Sequence, residues 1–153
     1  MGEQAWVDED VEYGQIYLVT DNPISRALTG LAEVVGRPCR LLVDASALAD
    51  LRAEELAAAD AVVLCDHDTP DAHALLELAL EASTGYVAML GNRQRAQATY
   101  RDLAHGYNDE TLARLHVPAG LNLGGKSPGE IALSVLAEIV AVGHRRPGGP
   151  MRV

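Results

Sequence analysis

The chain has 153 residues, 48% of them hydrophobic, which is typical of a single domain with a sizeable core. Its formal net charge of −10 disfavours a general affinity for nucleic acid or anionic membranes, since both would repel the average surface. No apolar run approaches the roughly 20 residues that a membrane-spanning helix needs, and the N-terminus lacks the basic and apolar regions of a secretory signal. Cys39 and Cys65 lie in apolar runs, as buried thiols do in a reducing compartment, so we predict a cytoplasmic protein.

Short apolar runs alternate with longer helical patterns along the chain. The predicted strands cover 15–20, 39–44, 61–66, 85–90 and 114–118, and the predicted helices cover 23–35, 53–59, 70–82, 93–104, 109–114 and 128–142. This alternation is typical of parallel strands connected by helices. We therefore predict an α/β fold, a three-layer α/β/α Rossmann-like sandwich with a five-stranded parallel sheet in the order 3-2-1-4-5. The Rossmann domain is predicted to cover 15–143, between an N-terminal extension (1–14) and a flexible tail (144–153).

Ligands of such a sheet bind beyond the carboxyl ends of the strands, where the strand order reverses. The first of these loops, Thr20 to Pro23, lacks the glycines that let a dinucleotide's phosphates approach the backbone, although Thr20 and Asn22 remain candidate ligand contacts. Asp44 follows the second predicted strand, where an acidic residue commonly accepts the ribose hydroxyls of an adenosine. A polar residue that simply ends the strand explains Asp44 equally well.

The stretch "CDHDTPDAH" gathers carboxylates and histidines after the third predicted strand. Thr69 as a helix cap, with Pro70 at the first helical position, explains much of this cluster without an ion. Oxygen and nitrogen ligands on one loop rarely complete a coordination sphere, so we predict no metal site. We expect Asp66 or His67 to contact a ligand instead.

The stretch "LGNRQR" follows the fourth predicted strand and begins a helix. Arg93 is unfavourably placed there, because the positive end of the helix dipole repels a cation. An anionic ligand held by the backbone of Gly91 and Asn92 and by Arg93 would explain the position. An arginine that is solvated, or paired with a nearby aspartate, is the alternative.

The stretch "GLNLGGKS", Gly120 to Ser127, satisfies the P-loop pattern G-x-x-x-x-G-K-[ST]. It follows the weakest predicted strand, and Pro128 removes an N–H group from the first helical turn, so nucleotide hydrolysis is disfavoured. "SPGE" predicts a capping box between Ser127 and Glu130. We still expect the loop to bind an anion through Gly124, Gly125 and Lys126.

Three segments in this order resemble the Rossmann domain of the xanthine dehydrogenase accessory family, XdhC/CoxI: "VVLCDHDTPDAHALLELAL", "GYVAMLGNRQRAQ" and "ARLHVPAGLNLGGKSPGEIALSVLAEIVAV". The resemblance implies a protein that binds the molybdenum cofactor, a phosphate-bearing pterin, and assists its sulfuration and insertion into a molybdenum hydroxylase. The family's Thr-His-Asp falls on Asp66, His67 and Asp68, and its Leu-Gly-Ser-Arg on Leu90, Gly91, Asn92 and Arg93. Its Pro-x-Gly-Leu-x-x-Gly falls on Pro118, Gly120, Leu121 and Gly124.

This chain departs from the family in several places. Aspartate and asparagine replace the family's threonine and serine at Asp66 and Asn92, and the glycine-rich turn after the first strand is absent. We expect the residues before the first strand to be an extension rather than the family's N-terminal domain with its cysteine-bearing motif. Neither cysteine has the exposed, electropositive setting of a reactive thiolate, so we do not expect this chain to handle sulfur.

Our first hypothesis is a non-catalytic accessory protein, forming a homodimer, that binds the molybdenum cofactor (molybdopterin) or a nucleotide through its phosphate. Its client would be a molybdenum hydroxylase such as xanthine or CO dehydrogenase. The alternatives are an NAD(P)-dependent oxidoreductase or dinucleotide-sensing module, and a degenerate protein-binding scaffold with Trp6 and Tyr13 as anchors. No nucleophile stands beside a base at recognisable spacing, so no catalytic residue is predicted. The candidate cofactor-binding residues are Thr20, Asn22, Asp44, Asp66, His67, Asp68, Gly91, Asn92, Arg93, Gly120, Gly124 and Lys126.

Overall fold

A computed structural model describes residues 13–43 and 51–152. Five strands form one parallel sheet: β1 (Ile16–Val19), β2 (Cys39–Leu42), β3 (Ala61–Leu64), β4 (Tyr86–Met89) and β5 (Leu115–His116). β1, β3 and β4 are apolar and almost entirely buried, as expected for strands that helices cover on both faces of the sheet. The predicted five-stranded α/β sandwich is confirmed.

The strand order is 2-1-3-4-5, which corrects the expected 3-2-1-4-5 in the placement of the third strand. All four residues of β3 are buried, as a strand paired on both edges requires, whereas β2 carries the exposed Arg40 and lies at the edge. Both orders belong to the doubly wound class, but the reversal point moves. It lies between β1 and β3 rather than between the first and fourth strands.

Within the described residues five helices flank the sheet: α1 (Pro23–Val35), α2 (Ala72–Glu81), α3 (Arg93–Ala104), α4 (Asp109–Leu112) and α5 (Pro128–Gly143). Helices α1 and α5 pack on one face, where Leu28 and Val135 join a core with Leu18. Helices α2 and α3 pack on the other, where Leu76 and Leu103 join a core with Leu64 and its neighbours. The sheet therefore has a packed hydrophobic core on each of its two faces. No helix among the described residues is both long and apolar enough for a membrane span.

The predicted helix at 53–59 is a short 3-10 turn, Ala53–Glu55. It ends because Leu56 turns to an extended conformation and the amide of Ala57 bonds to the Asp60 carboxylate at 2.9 Å. Helix α2 begins at Ala72, two residues later than predicted. The hydroxyl of Thr69 donates to the carbonyl of Asp66 at 2.6 Å and so does not cap the helix.

Candidate functional site

A cavity of about 580 Å³ opens at the carboxyl ends of the strands, at the reversal point between β1 and β3. We call it the carboxyl-end cavity. Its apolar wall comprises Ile24, Leu90, Leu121, Leu123 and Ile131, and its polar rim includes Asn22, Asp66, His67, Gly124, Gly125 and Lys126. An apolar pocket with a few polar groups at this place in the fold is the usual form of a small-molecule site.

The turn from β1 to α1 contains no glycine and is held by hydrogen bonds. Thr20 adopts a φ of 82°, a conformation that a β-branched residue rarely takes. Its amide bonds to Leu42 O at 3.1 Å and its hydroxyl lies 3.2 Å from that of Thr69. Asn22 caps α1 by accepting from Ser25 N at 2.9 Å and donates to Cys65 O at 3.0 Å. Because these groups are already paired, the turn serves as a wall, and anion donors must come from another loop.

The loop after β3 presents Asp66 and His67 to the cavity. Asp66 accepts from the amide of Asp68 at 2.9 Å, which fixes the tight turn between them. Asp68 does not line the cavity: Arg95 donates to its Oδ1 at 3.2 Å, and its Oδ2 lies 3.3 Å from Nε2 of His67. The ligand atoms of the three side chains Asp66, His67 and Asp68 lie within 4.8 Å of one another. Their contacts with the turn and with Arg95 explain this cluster, so the absence of a metal stays our prediction.

The loop between β5 and α5 forms the opposite rim. It is fixed at its start, because Ala119 N bonds to Met89 O at 3.0 Å and Leu121 N to Ser134 O at 3.1 Å. Gly124 has a φ of 85°, and a side chain there would point into open space. Lys126 is exposed and makes no ion pair with any described residue. This rim therefore offers an uncommitted amine beside glycine backbone.

The P-loop interpretation fails on geometry as well as on sequence. Ser127 accepts from Glu130 N at 3.2 Å, so its hydroxyl caps α5. The predicted capping box is half formed, because the Glu130 side chain contacts Gly125 instead. The preceding strand, β5, has two residues and lies at the sheet edge.

Glu138 on α5 fixes the loop from behind. Its Oε1 accepts from the Tyr86 hydroxyl at 2.6 Å and from Gly120 N at 3.0 Å, and lies 3.5 Å from Nδ1 of His116. Burial raises the pKa of Glu138, but the bonds from His116, Tyr86 and Gly120 outweigh burial and hold that pKa below its ordinary value. The pKa of Tyr86 is raised well above normal by burial and by the neighbouring carboxylate. The Glu138 carboxylate is thus an ionised anchor for the loop, and sequence reasoning missed it although it is an acid in an apolar helix.

Cys65 lies in the lining of the carboxyl-end cavity and is 3% exposed. Burial, with smaller contributions from Cys39 and Asp66, raises the pKa of its thiol to about 12. The thiol is therefore protonated at neutral pH and acts as an apolar surface.

Six of the twelve candidate binding residues line the cavity: Asn22, Asp66, His67, Gly91, Gly124 and Lys126. Thr20 and Gly120 do not line the cavity, but their backbone amides form hydrogen bonds that hold its loops in place. Asn92 caps α3 by accepting from Arg95 N at 2.8 Å, and Asp68 pairs with Arg95. Arg93 is exposed and does not line the cavity, because the helix phase that follows Asn92 turns it outward. Asp44 and Trp6 lie outside the described residues.

A sequence model of the XdhC Rossmann domain matches residues 16–139. The uncharacterized protein YqeB of Escherichia coli K12 is 41% identical over 93 residues, which are 60% of this chain and 17% of YqeB. A crystal structure from Bacillus halodurans, described as a xanthine dehydrogenase, superposes with a TM-score of 0.69 at 21% identity. That superposition covers 94% of this chain and 49% of the other, and it shows the shared fold. The chain thus spans about half or less of either relative.

Proposed function

The chain belongs to the XdhC family of Rossmann domains, and from that premise we propose that it binds a phosphate-bearing pterin, the molybdenum cofactor, in the carboxyl-end cavity. It would thereby assist the maturation of a molybdenum hydroxylase such as xanthine dehydrogenase. One observation carries the proposal: a single cavity joins an apolar wall to a glycine-containing rim with a lysine that pairs with none of the described residues, in a chain of net charge −10.

The donor set of the cavity fits the chemistry of this ligand. The flat pterin ring would lie against Leu90 and Ile131. Its amino and ring N–H groups are hydrogen-bond donors, and the Asp66 carboxylate is an acceptor on the same rim. The phosphate would be held by Lys126 and by backbone amides beside Gly124, the usual partners of phosphate in glycine-containing loops.

The chain's own residues would bind and orient rather than react. Lys126 would neutralise phosphate charge, Glu138 would keep the glycine loop in place, and the apolar wall would exclude water from one face of the ring. The protonated Cys65 thiol offers no nucleophile for sulfur transfer. When bound, the cofactor supplies the metal-dithiolene group that the client enzyme uses.

The pterin content of the purified protein tests this proposal. Protein from cells that make the cofactor is oxidised, and the released fluorescent pterin is quantified per chain. We expect wild-type protein to carry pterin. Lys126→Ala should carry at least about tenfold less pterin per chain, because a charge-assisted bond to the phosphate is lost. Arg93→Ala removes one positive charge outside the cavity and should leave the content unchanged.

Two other outcomes identify the alternatives. If wild-type protein carries no pterin but NAD(H) binds in a titration, the dinucleotide-binding function is favoured and the pterin proposal is wrong. If no small molecule binds, the protein-binding scaffold remains. Equal pterin loss in Lys126→Ala and Arg93→Ala would indicate a general charge effect and would also contradict the proposed site.

A further inference from the structure

A second cavity, of about 450 Å³, lies at the opposite edge of the sheet, where the strands begin. We call it the amino-end cavity. Its walls come from Tyr13 and Gly14 before β1, from Gly85 before β4 and from the end of α5. Arg37, Arg114 and Arg145 line it, which are three of the chain's 12 lysines and arginines.

Among the described residues that line this cavity the one acidic side chain is Asp60, which forms no ion pair with any of the three arginines and offsets only one of their charges. Its Oδ1 accepts from Gln15 N at 2.7 Å and its Oδ2 from Ala57 N at 2.9 Å. Both carboxylate oxygens are therefore committed to the backbone. The amino-end cavity is a concentration of positive charge in an acidic protein.

Arg37 and Arg114 differ in how their guanidinium groups are satisfied. Arg114 donates from Nη1 to Thr84 O at 2.6 Å and from Nη2 to Leu80 O at 2.8 Å, so it is a structural residue. Arg37 is 9% exposed, yet its guanidinium makes no hydrogen bond or ion pair with any residue in 13–43 or 51–152. The guanidinium nitrogens are not among the described polar atoms that are cut off from solvent, so the N–H groups stay accessible although most of the side chain is covered. Burial lowers the pKa of Arg37.

The contact that Arg37 does make leaves its donors free. Its Cζ lies 3.8 Å from the centroid of the Tyr13 ring, over the ring face. A cation–π contact uses no N–H group, so the guanidinium fork remains available to two oxygens of one anion. Attraction to the nearby carboxyl end of α1 would explain a basic residue here, but that role places the N–H groups on helix carbonyls, as Arg114 does.

We propose that the amino-end cavity binds a phosphate group through the guanidinium of Arg37, with Arg145 at the entrance adding charge. This site is separate from the carboxyl-end cavity and does not depend on the proposed pterin function. A cavity with one buried, unpaired arginine fits a compact oxyanion better than an acidic protein surface, because a surface cannot reach a side chain that is 9% exposed. Inorganic phosphate and the phosphate group of a metabolite share this chemistry.

Amide chemical shifts during a titration with inorganic phosphate, at constant ionic strength set with chloride, test the proposal. The chain is 16.3 kDa and suits this measurement. We expect saturable shifts for the amides of Gly14, Gly85 and Gly143. In Arg37→Gln the affinity measured at these amides should fall at least about tenfold. Arg146→Gln makes the same change of charge outside the cavity and should bind as the wild type does.

The wild-type titration decides the matter even if Arg37→Gln does not fold. Absence of saturable shifts at Gly14 and Gly85, or shifts confined to Gly124 and Gly125, would overturn the proposal. A second titration, with phosphate esters of metabolites, identifies the natural ligand. Tighter binding of an ester than of inorganic phosphate would indicate a larger ligand, and weaker binding would indicate free phosphate. If phosphate bound only after Glu9, Asp10 and Glu12 had been changed to amides, the chain's own acidic segment would be the occupant and the proposal would be wrong.

Discussion

The two ends of the sheet carry positive charge in different forms. At the carboxyl ends, Lys126 is exposed on a glycine-containing loop beside an apolar wall. At the amino ends, Arg37 is buried against Tyr13, and Arg114 is bonded to main-chain carbonyls. The first arrangement leaves room for a ring with a phosphate attached, and the second leaves room for a compact anion. Hydrogen bonds to the main chain, rather than burial or charge, therefore distinguish the structural cation Arg114 from Lys126 and Arg37, whose side-chain donors have no partner among the described residues.

The largest expected difference between the two ends of the sheet is in the reactivity of their cysteine thiols. The pKa of Cys65, in the carboxyl-end cavity, rises from 9.0 to about 12, which implies a thiolate population on the order of a thousandfold smaller than an ordinary thiol has. Cys39, half-buried at the start of β2, has a smaller rise caused by burial. We expect iodoacetamide at pH 8 to label Cys39 first, as measured by peptide mass spectrometry. Equal or faster labelling of Cys65 would show that the cavity activates its thiol.

Within the amino-end cavity, substitutions of Arg114 and Arg37 should differ in their effect on the free energy of unfolding. Arg114→Ala leaves two carbonyls without partners and should lower the free energy of unfolding by about 3 kcal/mol. Arg37→Gln removes a buried charge and one cation–π contact, so without phosphate its stability should lie within about 1 kcal/mol of wild type. Urea denaturation in phosphate-free buffer measures both. A loss for Arg37→Gln as large as that for Arg114→Ala would make Arg37 a structural residue.

Glu138 tests how the carboxyl-end loop is held. Glu138→Ala removes the acceptor of Tyr86 and Gly120 and should cost about 2 kcal/mol at neutral pH. Because the folded pKa lies below the ordinary value of 4.5, the unfolded chain takes up the proton first. The carboxylate's contribution is therefore complete above pH 4.5 and is lost as the pH falls through the folded pKa. Wild type should lose its advantage over Glu138→Gln in acid, and a constant difference between them would contradict this.

Alanine substitutions at two glycines of the same loop should give the smallest difference in the free energy of unfolding. Gly120 has a φ of 105°, and a Cβ there would lie 2.5 Å from Ser134 Oγ, whereas Gly124 has a similar conformation and open space. Gly124→Ala should cost about 1 kcal/mol from strain, and Gly120→Ala about 1 kcal/mol more from overpacking. Thermal denaturation of the pair measures the difference. Equal losses would show that the loop start yields freely and is not anchored by α5.

Local signals in the sequence predicted the limits of α1 and α3 correctly. Asn22 with Pro23 at one end and Gly36 at the other enclose α1, and Asn92 caps α3. The start of α2 was missed because Thr69, a good cap by type, bonds back to Asp66 instead. Strand order depends on which edges pair across the fold, and local patterns do not encode that pairing. The exposed Arg40 in β2 was the available sign of an edge strand.

The sequence predicted correctly those residues of the candidate site whose position depends only on where a strand ends. Asp66, His67 and Lys126 follow strands of one parallel sheet and therefore meet at one edge. Arg93 also follows a strand end, but the phase of its helix directs it away from the cavity, which residue spacing alone does not reveal. Arg37 follows a helix end in the sequence and resembles an ordinary exposed basic residue. Its burial depends on Tyr13, which lies far from it along the chain.

Hydrogen–deuterium exchange of pterin-loaded and pterin-free protein tests the central claim most directly. If the carboxyl-end cavity holds the pterin, exchange should slow in peptides covering 65–68 and 119–127. Peptides covering 36–38 and 143–145, at the amino-end cavity, should exchange at the same rate in both samples. Unchanged exchange at 119–127, or protection confined to the amino end, would contradict the claim that the pterin binds where the strands end.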